Sequence, residues 1–261
     1  MGMALEVIAG RVVAAGVQAE TALTPNTGNS FTVRDFPDGA QAFLYCPWGQ
    51  AAGLSRLRIR SPRLHDAAQS IRLVVDASGR ILLPGEFGQP LEPNDPLIVE
   101  MSSSAAETDA GAYLVYYTDL PGVSARLASP ADILPRIANI TGVLQTFVVA
   151  AGGDWSGQQA INADQDSLKA DTDYAILGAT MDVASLALRI QGVDLGNLGV
   201  GIPGALDPKE SARFFVDLSE WTGRPCIPII NSNNRGTVLV DAASVAAIAA
   251  FNATIILAEL E

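Results

Sequence analysis

The sequence predicts an all-β protein made of two tandem jelly-roll β-sandwich domains with few short helices. Three observations predict it. Short runs of β-forming residues recur along the whole chain, turn residues separate them, and the second half repeats the order of the first.

The elements follow in order. Phe31-Thr32-Val33, Ala42-Phe43-Leu44-Tyr45, Leu57-Arg58-Ile59-Arg60 and Ile71-Arg72-Leu73-Val74-Val75 are short and rich in β-branched and aromatic residues, which suit a pleated, half-buried surface. Asp76 to Arg80 is a turn that predicts a hairpin onto Ile81-Leu82-Leu83. Pro96 to Glu100 and Ala112 to Tyr117 complete the first set. Ser129-Pro130-Ala131-Asp132 is a helix start, and Pro135 limits a helix running to about Asn139. The expected division is an N-terminal jelly roll over 1–125, a linker with a short helix over 126–145, and a C-terminal jelly roll over 146–261. In the second half, Phe147 to Val149, Tyr174 to Leu177, Ser185 to Ile190, Pro225 to Ile230, Thr237 to Val240 and Thr254 to Leu257 read as strands. Arg213 to Leu218 is either a strand or a short helix, and Met1 to Glu20 is either a docking arm or a first strand with its turn.

Four collinear correspondences make the repeat. Ser30 to Val33 answers Thr146 to Val149, Leu57-Arg58-Ile59 answers Leu188-Arg189-Ile190, Pro96 to Ile98 answers Pro225 to Ile227, and Ala112 to Leu120 answers Asn252 to Leu260. Each half is the size of an eight-stranded jelly roll.

Composition bounds the function. Of 261 residues, 49% are hydrophobic and only 17% charged, enough apolar material for two cores. So little charge fits either an Ala-rich free surface or one largely hidden against neighbours, since buried interfaces are depleted of charge. The net charge of −12 argues against tight or sequence-specific nucleic-acid binding, which needs a basic face. The one basic cluster is Arg56, Arg58, Arg60 and Arg63. Three of these alternate and share a strand face, read as solvated or subunit-facing rather than phosphate-binding. Cys46 and Cys226 form no CxxC motif and read as small buried hydrophobes. No apolar run is long enough for a transmembrane helix, and the first residues lack the pattern of a signal peptide.

No catalytic, cofactor-binding or metal-ligating set is expected. His65 is the only histidine, too few for a multi-histidine metal site, and no GxSxG elbow places a serine beside it. Asp164, Asp166, Asp171 and Asp173 share one loop, read as solvated, with a weak Ca²⁺ site as the alternative. The Gly192 to Gly204 segment lacks the P-loop and GxGxxG patterns, so its glycines are expected to supply turns. Trp48, Trp155 and Trp221 read as core or interface residues, with sugar stacking as the alternative.

Two tandem jelly rolls, an acidic Ala-rich chain and the segment from Leu188-Arg189-Ile190-Gln191-Gly192 through Phe214-Phe215-Val216-Asp217-Leu218 resemble the double jelly-roll major capsid proteins of tailless icosahedral bacterial and archaeal viruses, the adenovirus-like lineage. That resemblance implies a non-enzymatic shell subunit that trimerises into pseudo-hexameric capsomers. It implies contacts with other capsid proteins, packing over an inner membrane or genome core, and assembly in the host cytoplasm. The chain lacks the large tower insertions of many such proteins. The alternative is a phage tail or decoration protein, or a carbohydrate-binding β-sandwich module.

Overall fold

The computed structural model describes residues 2–13, 19–51, 53, 55–63, 70–75, 88–150, 152–161, 168–204 and 208–261. The hairpin expected around 76–83, His65, Asp164 and Asp166 lie outside the described residues.

The first half contributes β1 (Ala4–Val12), β2 (Thr21–Ala22), β3 (Thr24–Pro25), β4 (Ala42–Gln50), β5 (Ser55–Arg60), β6 (Ile71–Val75), β7 (Gln89–Leu91), β8 (Ile98–Ser103) and β9 (Asp109–Tyr117). Two sheets form, in the orders β3-β1-β9-β4-β7 and β2-β8-β5-β6. The pairing is nested. β1 joins β9, β2 joins β8, β4 joins β7 and β5 joins β6, all antiparallel, so the chain is one long hairpin rolled up on itself. That is a jelly roll.

A connecting stretch follows, with β10 (Leu127–Ala128), helix α1 (Pro130–Ile133) and a 3₁₀ turn over Leu134–Arg136. Ser129 and Asp132 form a capping box around Pro130 at the first helical position. The helix is shorter than the sequence suggests, because Pro135 cannot donate the next backbone hydrogen bond. Residues 137–145, expected in the linker, instead begin the next strand.

The second half holds β11 (Ile137–Val149), β12 (Gln159–Ala160), β13 (Asp173–Met181), β14 (Ala187–Gln191), β15 (Gly199–Pro203), helices α2 (Pro208–Ser211) and α3 (Phe214–Thr222), then β16 (Ile227–Asn231), β17 (Leu239–Ala243) and β18 (Ile248–Leu260). Its sheets run β10-β16-β13-β18-β11 and β12-β17-β14-β15. Nesting recurs: β11 with β18, β12 with β17, β13 with β16, β14 with β15. The chain is therefore two tandem jelly rolls. Of the open alternatives, Arg213 to Leu218 leads into α3, stopped by Gly223 in the left-handed conformation (φ +62°), and Ala4 to Val12 is strand β1.

Two of the four repeat correspondences hold topologically. Leu57-Arg58-Ile59 and Leu188-Arg189-Ile190 lie on β5 and β14, equivalent strands, and the Ala112 and Asn252 segments lie on β9 and β18, the last strand of each roll. The other two do not. Ser30 to Val33 makes only an isolated bridge, Thr32 to Pro96, whereas Thr146 to Val149 ends the first strand of the second roll. Pro96 to Ile98 leads into β8, which pairs with β2, whereas Pro225 to Ile227 enters β16, the counterpart of β7.

The two rolls are packed on one another. Along β1, Ala4 and Ile8 face the first roll's own interior, while Leu5, Val7 and Ala9 belong to a core that includes Leu188, Ile190, Val200 and Ile202 of the second. Along β9, Tyr113, Val115 and Tyr117 face inward and Ala112, Leu114 and Tyr116 face the second roll. Every residue of β9 is buried, which is why the strand reads as a continuous apolar run without alternation.

Candidate assembly surface

The joint between the rolls shows how one sheet of this protein recognises another. β15 of the second roll meets β1 of the first, and a Cβ on Gly201 would lie 2.5 Å from Val7 Cγ2. Gly201 is thus needed for close approach and not for a turn; in the same segment Gly196 (φ +67°) does serve the turn that was expected of it. Trp48 Nε1 donates to the Leu186 carbonyl at 2.8 Å, Trp155 Nε1 donates to Asn29 Oδ1 at 3.0 Å, and Arg11 pairs with Asp154 at 2.8 Å. Both tryptophans are consumed by this joint, while Trp221 on α3 is 43% exposed. Cys46 and Cys226 are free and buried in the shared core, as expected of small hydrophobes.

On the second roll's side of this joint lies Arg189 on β14. Its Nε donates to Asp241 Oδ1 at 2.9 Å and its Nη2 to Oδ2 at 2.5 Å, and its guanidinium stacks over the Trp155 ring at 4.3 Å. Both partners are buried, and burial pushes the Asp241 carboxyl above its ordinary range while the Arg189 hydrogen bonds pull it back.

The first roll carries the same device. Arg58 on β5 sits opposite Glu100 on β8, as Arg189 on β14 sits opposite Asp241 on β17. Here the outer sheet face carries both buried and exposed side chains. Arg58 bonds Glu20 and contacts Glu100 at 3.5 Å, and Arg60 grips Glu100 at 2.8 and 3.1 Å. Arg56 and Arg72 on the same face are exposed, and Val74 is 56% exposed. Together with Glu20 and Ser102 these side chains line a depression of about 450 Å³. The arginines expected to share a strand face do share it.

A second free face lies on the outer side of β11 and β18. Ile140, Leu144 and Val148 point outward on β11 and are 50%, 39% and 68% exposed. Thr146 on β11 and Asn252, Thr254 and Ile256 on β18 continue the strip, which contains no charged residue. β11 is also the edge of its sheet, 13 residues long, with no lysine and no proline to guard it.

The remaining acidic candidates serve as acceptors. Asp173 accepts from Arg126 and from Asn231 Nδ2, and the Arg126 hydrogen bonds hold its carboxyl below the ordinary range. Asp171 Oδ1 accepts from Asn233 Nδ2 at 2.9 Å. Among the described residues no group of three or more His, Cys, Asp or Glu side chains is placed to hold a metal ion, and no helix is long and apolar enough to cross a membrane.

No family model and no curated protein matches the chain. Among solved structures, the chain is similar to the major capsid protein P2 from bacteriophage PM2, with a TM-score of 0.21 and 9% identity over 99% of this chain and 98% of that one. A likeness this slight decides nothing; the nested strand pairing carries the fold assignment on its own.

Proposed function

We propose that this chain is a structural subunit of a viral capsid shell, that it self-associates as a homotrimer of six jelly rolls, and that it works in the virion beside other capsid proteins after assembly in the host cytoplasm. One observation carries the reading. Two jelly rolls are welded face to face through a common core, which makes a stiff block, and the block still presents an uncharged apolar strip and an arginine-lined sheet face. Isolated surface hydrophobes are ordinary, but three exposed aliphatic side chains at every fourth position of an unguarded edge strand suit a contact. The buried carboxylates Asp241 and Glu6 are held by Arg189 and Arg34, pairs that suit a role in shape.

The test is assembly. Purified protein examined by negative-stain electron microscopy and light scattering should form trimers or larger closed particles. A sugar-binding module is the second reading, favoured by exposed Trp221. It predicts binding to a soluble glycan panel that Trp221→Ala abolishes, with the protein remaining a single copy.

A further inference from the structure

Cross-strand register gathers arginines on one face of the first roll. Arg58 on β5 stands directly opposite Arg72 on β6 and Glu100 on β8, and the next row is Val74, Arg56 and Ser102. Arg56 is thus the diagonal neighbour of Arg72, and diagonal positions on a sheet face lie within reach of long side chains. Among the described residues, four arginines, Arg56, Arg58, Arg60 and Arg72, share this face with two carboxylates, Glu20 and Glu100. The carboxylates are engaged: Arg60 grips Glu100, and Arg58 bonds Glu20 while its Nε donates to Ser70 Oγ at 3.2 Å. Arg56 and Arg72 make no ion pair among the described residues. Two positive charges are left uncompensated here on a chain whose net charge is −12. Like charges set opposite one another destabilise a sheet, so packing gives no reason for Arg58 to face Arg72. Ser102 adds a second, independent observation. It is only 8% exposed, it lines the depression, and its hydroxyl has no hydrogen-bond partner among the described residues, where a buried hydroxyl normally finds one.

We propose that this depression binds a small phosphate monoester, its phosphate held between Arg56 and Arg72 with the Ser102 hydroxyl as a further donor. By sequence the cluster of Arg56, Arg58, Arg60 and Arg63 reads as solvated or subunit-facing; Arg72 from the neighbouring strand, the depression and the unpartnered Ser102 emerge only in the fold. The chemistry of the lining selects the ligand. A guanidinium presents its donors as a fork that matches two phosphate oxygens at once. A phosphate monoester carries about −1.5 to −2 charge at neutral pH, which balances the two uncompensated arginines. The depression of about 450 Å³ is larger than a bare phosphate needs and falls in the range of small-molecule pockets, roughly 300–1,000 Å³. Leu73 and exposed Val74 give the organic part of the ligand an apolar wall. Glu20 also lines the depression, and with the acidic chain around it disfavours a longer polyanion. The site is independent of the shell reading and stands or falls on its own test.

The experiment is isothermal titration calorimetry of the full-length protein with glycerol 3-phosphate at low ionic strength, with inorganic phosphate and inorganic sulfate as comparison ligands. One glycerol 3-phosphate should bind per chain, more tightly than inorganic phosphate. Its affinity should rise from about pH 5 to about pH 7.5, because the ligand loses its second proton near ~6 and the dianion is the form the arginines match. Arg56→Gln and Arg72→Gln should each weaken binding by roughly tenfold or more, the loss expected for a hydrogen bond to a charged group. Arg63→Gln is the control: it removes a charge from the same sequence cluster, but Arg63 bonds the Pro93 carbonyl and does not line the depression, so binding should be unchanged. Arg56 and Arg72 are exposed and have no ion pair to lose, so without ligand the thermal midpoints of their variants should equal that of wild type, or exceed it where Arg72→Gln relieves the opposition to Arg58. With saturating glycerol 3-phosphate, wild type should gain a higher midpoint and both variants should lose that gain. Sulfate binding as tightly as the ester at every pH would mark an unselective anion patch and overturn the proposal. Equal weakening by Arg63→Gln, or no ligand-induced change in either heat or midpoint, would overturn it as well.

Discussion

Replacing Arg189 with methionine tests the buried ion pair on the face of the second roll that meets the first. The guanidinium makes two hydrogen bonds to Asp241 and stacks on Trp155, with side-chain exposures of 9% for Arg189 and 2% for Asp241. Methionine fills much of the volume but leaves a buried carboxylate without its cation, a change that costs about 3–5 kcal/mol. The sign of the pH dependence follows from the direction of the Asp241 shift. Burial already raises that carboxyl, and removing Arg189 takes away the influence that lowered it. The folded variant then holds the proton more tightly than the unfolded chain, whose aspartates titrate near ~3.9. Its stability is therefore fullest below that pH and falls as pH rises through the folded-state value. The deficit against wild type should be small near pH ~4 and grow as pH rises. Asp241→Leu added to Arg189→Met removes the stranded charge and should restore most of the loss, because replacing a buried ion pair with apolar groups is often neutral or stabilising. Urea titrations at a fixed protein concentration, followed by tryptophan fluorescence, read all of this. A loss that does not vary with pH, or a double variant as damaged as the sum of its singles, would refute the reasoning.

Further outcomes follow from the same geometry. Gly201→Ala places a methyl 2.5 Å from Val7 Cγ2 and should destabilise by about 1–3 kcal/mol, with Val7→Ala recovering part of it in the urea midpoint. Asp109 is buried beside Glu107, and burial chiefly raises its carboxyl to about 6, with Oδ1 left without a hydrogen-bond partner. The folded state thus favours its protonated form, and stability should fall as pH rises from about 4 past about 6. Asp109→Asn should flatten that fall and add about 1–2 kcal/mol at pH 7, a figure discounted for the water that reaches the group, measured as a shift in thermal midpoint between pH 4 and 7. Trp48→Ala empties a site shared by both rolls and should cost about 3–5 kcal/mol in one cooperative transition; two separate transitions would show that the rolls melt independently.

The fold class was legible because turn residues punctuate the chain and because the pattern Leu-Arg-Ile recurs on β5 and β14, where alternation directs the two apolar residues inward and the arginine outward. The last strands also matched, since both must bury long apolar stretches. Ala4 to Val12 was ambiguous for a physical reason: a strand covered on both faces loses the period of two that distinguishes it from an arm. Pro96 and Pro225 misled because similar strand entries look alike locally, while the partner of each strand is fixed by nested pairing across the whole roll. The arginine cluster was visible in the sequence. That its counterpart in the second roll is buried against the first was not, because Arg189 and Asp241 are 52 residues apart and Trp48 and Leu186 are 138 apart. The apolar strip on β11 was hidden because Ile140 and Leu144 fell in the expected linker over 126–145, and only Val148 was placed on a strand.

The absolute mass of the wild-type protein in solution, measured by light scattering over a range of concentrations, tests the central claim most directly. The account predicts three copies, or particles built from sets of three. A folded single copy at every concentration tested would contradict it.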